Sequence, residues 1–455
     1  MNDKFFVRAC ERARTGGRPV IAVRVRDGVE TPPLTQLAEA ANHADQYWFY
    51  ASRRTDALNW LGLGRVWDCT AHGATPLREV RAASAEIDFV FEGRDNPATL
   101  CGGAAFDARE ELQRSQEWRE FGSARFWLPE LRIESTGSGF RTVCAARVEP
   151  GEDAASLEQR MDARERELLR APAPSDAGDA AGEIKGQRAR PSLSPSDGYA
   201  RSVEEVLEAI RAKRADKVVL ADAVRATLDS PVATARTLAS LGAAHPGCLS
   251  FGLSGGGAQL LGATPEVLVK LSASQVEACA VAGTEGTPSN GGTSSLLASA
   301  KERSEHAFVV EAIAEALSHF CDPIRYANEP QLMGTHGLQH LLTPVRGALK
   351  NPTHVLELAE RLHPTPALGG TPRAEALQLI REHEQHDRGW YAGPVGWFDA
   401  KGEGEFCVAL RCGLLDREHA TLYAGSGIVE ASDPEREVEE TALKLNTLWT
   451  ALEAS

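Results

Sequence analysis

Apolar and polar positions follow two rhythms along this chain. Over residues 1–150, short runs rich in β-branched and aromatic residues alternate with turns: PVIAVRV, QYWFYAS, IDFVFEG, RFWLPELRI and RTVCAARV. Period-two alternation of this kind predicts strands. EDAASLEQRMDARERELLR then changes to helical spacing. Residues 171–198, APAPSDAGDAAGEIKGQRARPSLSPSDG, keep neither rhythm and are dominated by Pro, Gly, Ser, Ala and Asp. They predict an exposed, mobile connection. Beyond it, SVEEVLEAIRAKRA has helical spacing and runs into the strand DKVVLADAVRATL. CLSFGLS, GAQLLGATPEVLVKLS and QVEACAVAG predict further strands. A long helix is expected over about 299–320, with others in HVLELAERL and AEALQLIREHEQ. EFCVALRCGLLDREHATLYAGSGIV reads as a hairpin before a last helix over about 434–453. Strands and helices in blocks, with little βαβ alternation, predict an α/β (α+β) sandwich of sheets flanked by helices. The chain divides into 1–170, the connection 171–198, and 199–455, where the candidate chemistry lies; no internal repeat is visible.

With 455 residues, 42% of them hydrophobic, the chain can bury a large core. No stretch approaches the roughly 20 apolar residues that span a bilayer, and the start carries no apolar leader, so a cytosolic location is expected. The net charge of -15 disfavours nucleic acid and anionic membranes as partners. An anionic substrate then needs a local positive site. Nine cysteines without any CxxC predict reduced, mostly buried thiols.

Two glutamate pairs stand out, Glu302 and Glu305 in SAKERSEHAFVVEAIAEAL, and Glu437 and Glu440 in PEREVEETALKL. Each is spaced i, i+3, so each shares one helical face. Glu305 also extends the apolar stripe Val309, Ile313 and Leu317, where a carboxylate is costly unless a cation or strong donors meet it. Together they are candidate oxygen ligands for Mg2+; alternatively they are solvated acids at helix N-termini. Lys217 opens an apolar strand, where burial can lower its pKa toward that of a general base, although such a lysine often reaches back to solvent. Glu266, after Pro265, is expected at the start or middle of a strand; an apolar wall would make it an acid, open solvent an ordinary surface glutamate. In EFCVALRCGLL, alternation sets Cys407, Ala409, Arg411 and Gly413 on one side. Arg411 among small residues can fork onto a carboxylate, or pair with an internal acid. Tyr423, Gly425 and Gly427 alternate on the partner strand, allowing backbone to approach a ligand. His340 fits a hydrogen-bonded core histidine or a catalyst. RLHPTPALGGTP is a fixed-shape loop presenting Ala367, and DRGWYAGPVGWFD sets Tyr391 near glycines.

Taken together, DKVVLAD, LLGATPEVLVK, AVAGTEG, SAKERSEHAFVV, LQHLLTPVRGAL, RLHPTPALGGTP, DRGWYAGPVGWFD, FCVALRCGLL, YAGSGIV and EREVEETALKL resemble the chorismate-utilising enzymes. The blocks run in family order over about 201–453, with weaker matches in 45–130. Within the family they are most similar to the isochorismate synthases. The resemblance implies one large domain of layered antiparallel sheets with helices outside and a Mg2+-dependent site between the sheets. It makes Lys217 the base that activates water for attack at C2 of chorismate, and Glu266 the acid that protonates the departing C4 hydroxyl. Glu305 and Glu440 match metal ligands, with Glu302 and Glu437 in the same cluster. His340, Ala367, Tyr391, Arg411, Gly425 and Lys444, with Gly283 and Thr284 of AVAGTEG, match the substrate-binding wall.

Branches of the family that use ammonia lack the lysine and carry threonine where Ala367 stands. Salicylate synthases keep the lysine, tend to carry that threonine, and go on to eliminate pyruvate; they are the alternative activity. Lys217 with Ala367 implies water as nucleophile and isochorismate as product, made by a monomer without a glutaminase subunit. The product feeds menaquinone, a siderophore or salicylate according to the partner enzymes. Many relatives also have Arg where this chain has Asp222.

Overall fold

Along the strand Val20–Val29, Ile21 and Val23 are buried with residues of a second sheet, including Phe126, Val269 and Phe406. Val20 and Ala22, facing the other way, are buried with Phe5, Phe6, Leu157 and Met161 of two helices. One core therefore lies between two sheets and another between a sheet and its outer helices. The computed structural model describes residues 3–93, 95–108, 115–170, 195–228, 230–286, 295–335 and 338–453, without the side chains of Asp3, Thr284, Lys301, Thr335, Leu338, Thr447 and Leu448. Among these residues one sheet has twelve strands and the other ten. Neighbouring strands are antiparallel throughout, except that Val20–Val29 runs parallel to Phe89–Phe91. No helix among the described residues is long and apolar enough to cross a membrane. Residues 171–194 of the expected connection lie outside the described residues; Ser196 caps the helix Asp197–Arg211.

At three of the corners that carry the chain from sheet to sheet, the structure corrects an expected single strand. RFWLPELRI divides into Ala124–Leu128 in the ten-stranded sheet and Leu131–Thr136 in the twelve-stranded one. Pro129 cannot donate to a ladder, so the pairing breaks there. Pro265 and Glu266 likewise lie between Gln259–Thr264 and Val267–Ser272, which belong to different sheets. Glu266 is thus at a corner, not within a strand. EFCVALRCGLL divides into Gly404–Val408 and Cys412–Leu415, again in different sheets, and Arg411 has φ of 49°. The alternation expected for Cys407, Ala409, Arg411 and Gly413 is reset at this corner. The hairpin begins only at Cys412–Leu415, which pairs with His419–Val429.

The connectivity of residues 3–168 is repeated by residues 197–453. The twelve-stranded sheet meets itself at the centre where Leu249–Ser254 pairs with Trp48–Arg53, and its strands then follow the same chain order outward on both sides. The ten-stranded sheet does so across Pro394–Asp399 and Thr99–Ala104. A duplication that the sequence had not shown is plain in the topology. The second half differs by the helix Arg373–His383, by an edge strand Gly370–Thr371 that pairs antiparallel, and chiefly by an added block, Gln275–Gly286, Ala300–Ser318, Cys321–Arg325, Gln331–Thr335 and Leu338–Leu349, between Val267–Ser272 and Val355–Leu362. Near the central pairs the space between sheets is filled by Phe49, Trp60, Trp127 and Trp397, with Phe49 stacked on Trp60 at 5.0 Å and Trp60 edge-on to Trp397 at 5.5 Å.

Candidate active site

In the second half the space between the sheets holds a cavity of about 370 Å3. Its first wall is the strand Lys217–Thr227 paired with His419–Val429, where Val219 opposes Gly427, Ala221 opposes Gly425 and Ala223 opposes Tyr423. A Cβ on Gly427 would stand 2.9 Å from Cε of Lys217, so the missing side chain gives the lysine stem its room. Burial lowers the pKa of Lys217; Glu305 opposes that shift and Lys444 adds to it. Desolvation outweighs the acids around it, which is what a base acting near neutrality requires.

Glu266 enters from the corner after Pro265. Thr264 Oγ1 accepts its backbone N–H (3.2 Å), and its carbonyl accepts the N–H of Val408 (3.0 Å). Only 3% of the residue is exposed. Burial pushes its carboxyl up to about 8, against the pull of Arg411 and Lys217. At pH 7 it therefore carries its proton, while lysine and glutamate line the same cavity.

Arg411, on the third corner, is partly buried and donates from Nη2 to Nε2 of His340 (2.9 Å). On the other side of the ring, Nδ1 of His340 donates to the carbonyl of Gly283 (3.0 Å). Burial, then Arg411, lowers the pKa of His340 to about 3, so the ring is neutral and holds the guanidinium in place. Gly283 sits at a register shift in Gln275–Gly286, with φ of 71°. A Cβ there would lie 2.9 Å from Oε2 of Glu302. The bulge thus turns one carbonyl to His340 and clears space for a carboxylate. Thr284 opposes His340 in the ladder, but its side chain lies outside the described residues.

Both glutamate pairs reach this cavity. Ser299 caps the helix Ala300–Ser318 by accepting the N–H of Glu302 (3.3 Å), which sets Glu302 and Glu305 in the first two turns. On Pro434–Glu453, Glu437 accepts from the Ser432 hydroxyl (2.8 Å) and Glu440 pairs with Lys444 (2.7 Å). Lys444 also donates to the carbonyl of Gly425 (2.8 Å), tying helix to strand. Burial raises the pKa of Glu437; Ser432 counteracts and the adjacent Glu440 adds to it. Among the described residues no three acidic, histidine or cysteine side chains cage an ion unaided. Mg2+ needs no such cage, being usually held by one or two carboxylates together with water and substrate oxygens. An all-carboxylate donor set from two helices fits it.

Tyr391 stacks on Tyr423 at 5.3 Å and 17°, and Tyr423 accepts from Trp118 Nε1 (2.9 Å). Burial raises both phenols, so both are protonated. Ala367 lies on the loop between Val355–Leu362 and Gly370–Thr371. Apart from Thr284, every residue singled out from the sequence as a site residue lines the cavity.

Three polar lining residues escaped the sequence reading. Arg436 lies beside the glutamates of the last helix, and Ser432 holds Glu437. Arg388 pairs with Glu384 (2.8 Å from Nε) and donates to the carbonyl of Val219 (2.7 Å), while Glu384 accepts the N–H of Ala221 (2.8 Å). An acid and an arginine four apart were a visible signal, but they follow the helix Arg373–His383, where that spacing has no fixed meaning. Asp222 accepts the N–H of Ser196 (2.7 Å), so here it anchors backbone.

Residues 8–453 match the family described as chorismate binding enzyme. The salicylate biosynthesis isochorismate synthase of Pseudomonas aeruginosa is 34% identical over 480 residues, covering 99% of this chain and 94% of its own. Isochorismate synthase MenF of Bacillus subtilis is 35% identical over 358 residues, covering 78% of this chain and 74% of its own. The solved MenF, the menaquinone-specific isochorismate synthase from Escherichia coli, superposes with a TM-score of 0.74 at 24% identity, over 95% of each chain; at that identity the likeness is one of fold.

Proposed function

The chain belongs to the chorismate-binding enzymes, and on that footing we propose that it is an isochorismate synthase, an isomerase converting chorismate to isochorismate. The observation that carries the chemistry is Lys217 and Glu266 on one cavity, with burial lowering the pKa of the lysine and raising that of the acid. A neutral amine and a protonated carboxyl are the pair that moving a hydroxyl across a ring demands. Lys217 takes a proton from water as its oxygen bonds to C2. The ring double bonds shift, the C4–O bond breaks, and Glu266 gives its proton to the departing hydroxyl. One water is consumed and one released; a proton passed from lysine to glutamate resets the pair.

In this reading Arg411, Tyr391, Gly425 and Lys444 hold the substrate carboxylates. His340 fixes the fork of Arg411, and Ala367, Gly283 and Thr284 shape the wall. Glu305 and Glu440 would hold Mg2+, with Glu302 and Glu437 in the same cluster directly or through water. Bound there, Mg2+ supplies positive charge that screens the ring carboxylate from these acids. The test is incubation with chorismate and Mg2+, with products separated by chromatography. Isochorismate alone is expected. Salicylate with pyruvate, or turnover that requires ammonium, would overturn the assignment. Glu440→Gln is expected to raise the Mg2+ concentration at half-maximal rate, and an unchanged metal titration would remove it from the ligand set.

A further inference from the structure

Behind the loop that carries Ala367, a second hollow of about 720 Å3 opens among the helices Pro76–Ala85, Val355–Leu362 and Arg373–His383. Five arginines and three acids line it, on a molecule with a net charge of -15. Each acid is already taken. Glu360 accepts from Arg78 (2.9 Å), Asp107 from Arg381 (2.9 Å), and Glu357 pairs with Arg81. Among the described residues no carboxylate pairs with the other two arginines, Arg361 and Arg373. Arg373 instead donates to the carbonyls of Arg361 and His363. Arg373 is exposed as a residue, yet partial loss of water lowers its pKa and Arg361 pushes the same way. His363 donates from Nε2 to the carbonyl of Phe106 (3.1 Å), and its buried Nδ1 has no partner. Two guanidinium groups without a counter-ion, in a concavity of ligand size, suit a forked anion.

The same loop reaches both cavities. His363 and Pro364 line the hollow, whereas Ala367 and Leu368 line the catalytic cavity. The carbonyls of Thr371 and Gly369 then accept the N–H groups of Asp216 (2.8 Å) and Val219 (3.0 Å), on either side of Lys217. We propose that this hollow binds a small polyanion bearing carboxylate or phosphate groups, and that its occupancy acts on the catalytic cavity through residues 363–371. The binding rests on these residues alone; only the kinetic readout rests on the proposed reaction.

The test uses the whole chain, with inorganic phosphate and malonate as probes and ionic strength held constant with chloride. Calorimetry is expected to show saturable binding of at least one anion, and the one that binds identifies the head group. Arg361 is exposed, so Arg361→Glu leaves the fold intact; it is expected to weaken binding by about tenfold or more, the worth of a charge-assisted hydrogen bond. Arg361→Lys is expected to keep most of the affinity. The anion is expected to change the KM for chorismate in the parent and not in Arg361→Glu. Absence of saturable binding would overturn the proposal, as would binding unchanged in Arg361→Glu or binding with no kinetic effect. Simple competition with chorismate, equal in both proteins, would put the anion in the catalytic cavity and refute it too.

Discussion

Lys217 and Glu266 show how one physical cause serves two opposite tasks. Loss of water disfavours whichever form is charged, so the amine sheds its proton more readily and the carboxyl keeps it. The sign of the pH dependence follows. As pH rises through about 8, Glu266 loses the proton it must donate, and kcat/KM is expected to fall. On the acid side the rate falls as Lys217 becomes protonated below its lowered pKa. Glu266→Gln is expected to remove the alkaline limb and to reduce turnover by about 10²–10⁴-fold, the usual worth of a general acid. A pH–rate profile decides this, and an alkaline limb that survives the change would discharge Glu266. Lys217→Ala is expected to lose turnover on a similar scale while chorismate affinity, read by calorimetry, stays within a few-fold. Gly427→Ala probes placement alone: its methyl would meet the lysine stem at 2.9 Å. A shift of about 1 Å in a reacting group can cost roughly 10²-fold, so kcat is expected to fall with little change in melting temperature.

At the scale of elements, the bulge at Gly283 and the three corners do what regular strands cannot. Gly283→Ala would place a Cβ at φ of 71° and 2.9 Å from the Glu302 carboxylate. The left-handed conformation costs about 1–2 kcal/mol, readable in a urea melt. Displacement of Glu302 is expected to raise the Mg2+ requirement more than it changes kcat. The i, i+3 glutamates were legible because helical periodicity fixes which residues share a face, and both pairs do converge on the cavity. The corners were not legible. Alternation gives a strand's two faces but not its sheet, so Pro265–Glu266 and Ala409–Arg411 read as strand interior. Prolines at 129 and 265 were the available sign, and Arg411 gave none, because nothing in its neighbours demands a left-handed backbone. Arg388 and Glu384 stayed hidden for a related reason, since their partners, Val219 and Ala221, are more than a hundred and sixty positions away. Lys217 could be suspected from its place before an apolar run, yet the glycine that seats it lies on another strand.

Across the whole molecule, one topology is used twice and equipped differently. The block added to the second half brings Gly283, Glu302, Glu305 and His340, four residues of the catalytic cavity, to a frame that the first half also possesses. The two sheets are also clasped by charge. Arg53 of the twelve-stranded sheet donates to Glu405 of the ten-stranded one (2.7 Å), and Glu405 is 3% exposed. Arg53→Met is expected to destabilise the protein by about 3–5 kcal/mol, because an acid is left buried without its main partner. Restoration by Glu405→Gln in the same chain would separate lost charge from lost packing. The aromatic filling around Phe49, Trp60, Trp127 and Trp397 acts as the molecule's keel. Its amides are expected to be the last to exchange with deuterium, and those flanking Lys217 and His340 to open earlier, giving a gradient from the centre of the sandwich out into its second half. Lys217→Met, which trades a partly buried amine for apolar bulk, is then expected to melt higher while turning over nothing. In this protein, the capacity to react is carried off to one side and the capacity to endure at the centre.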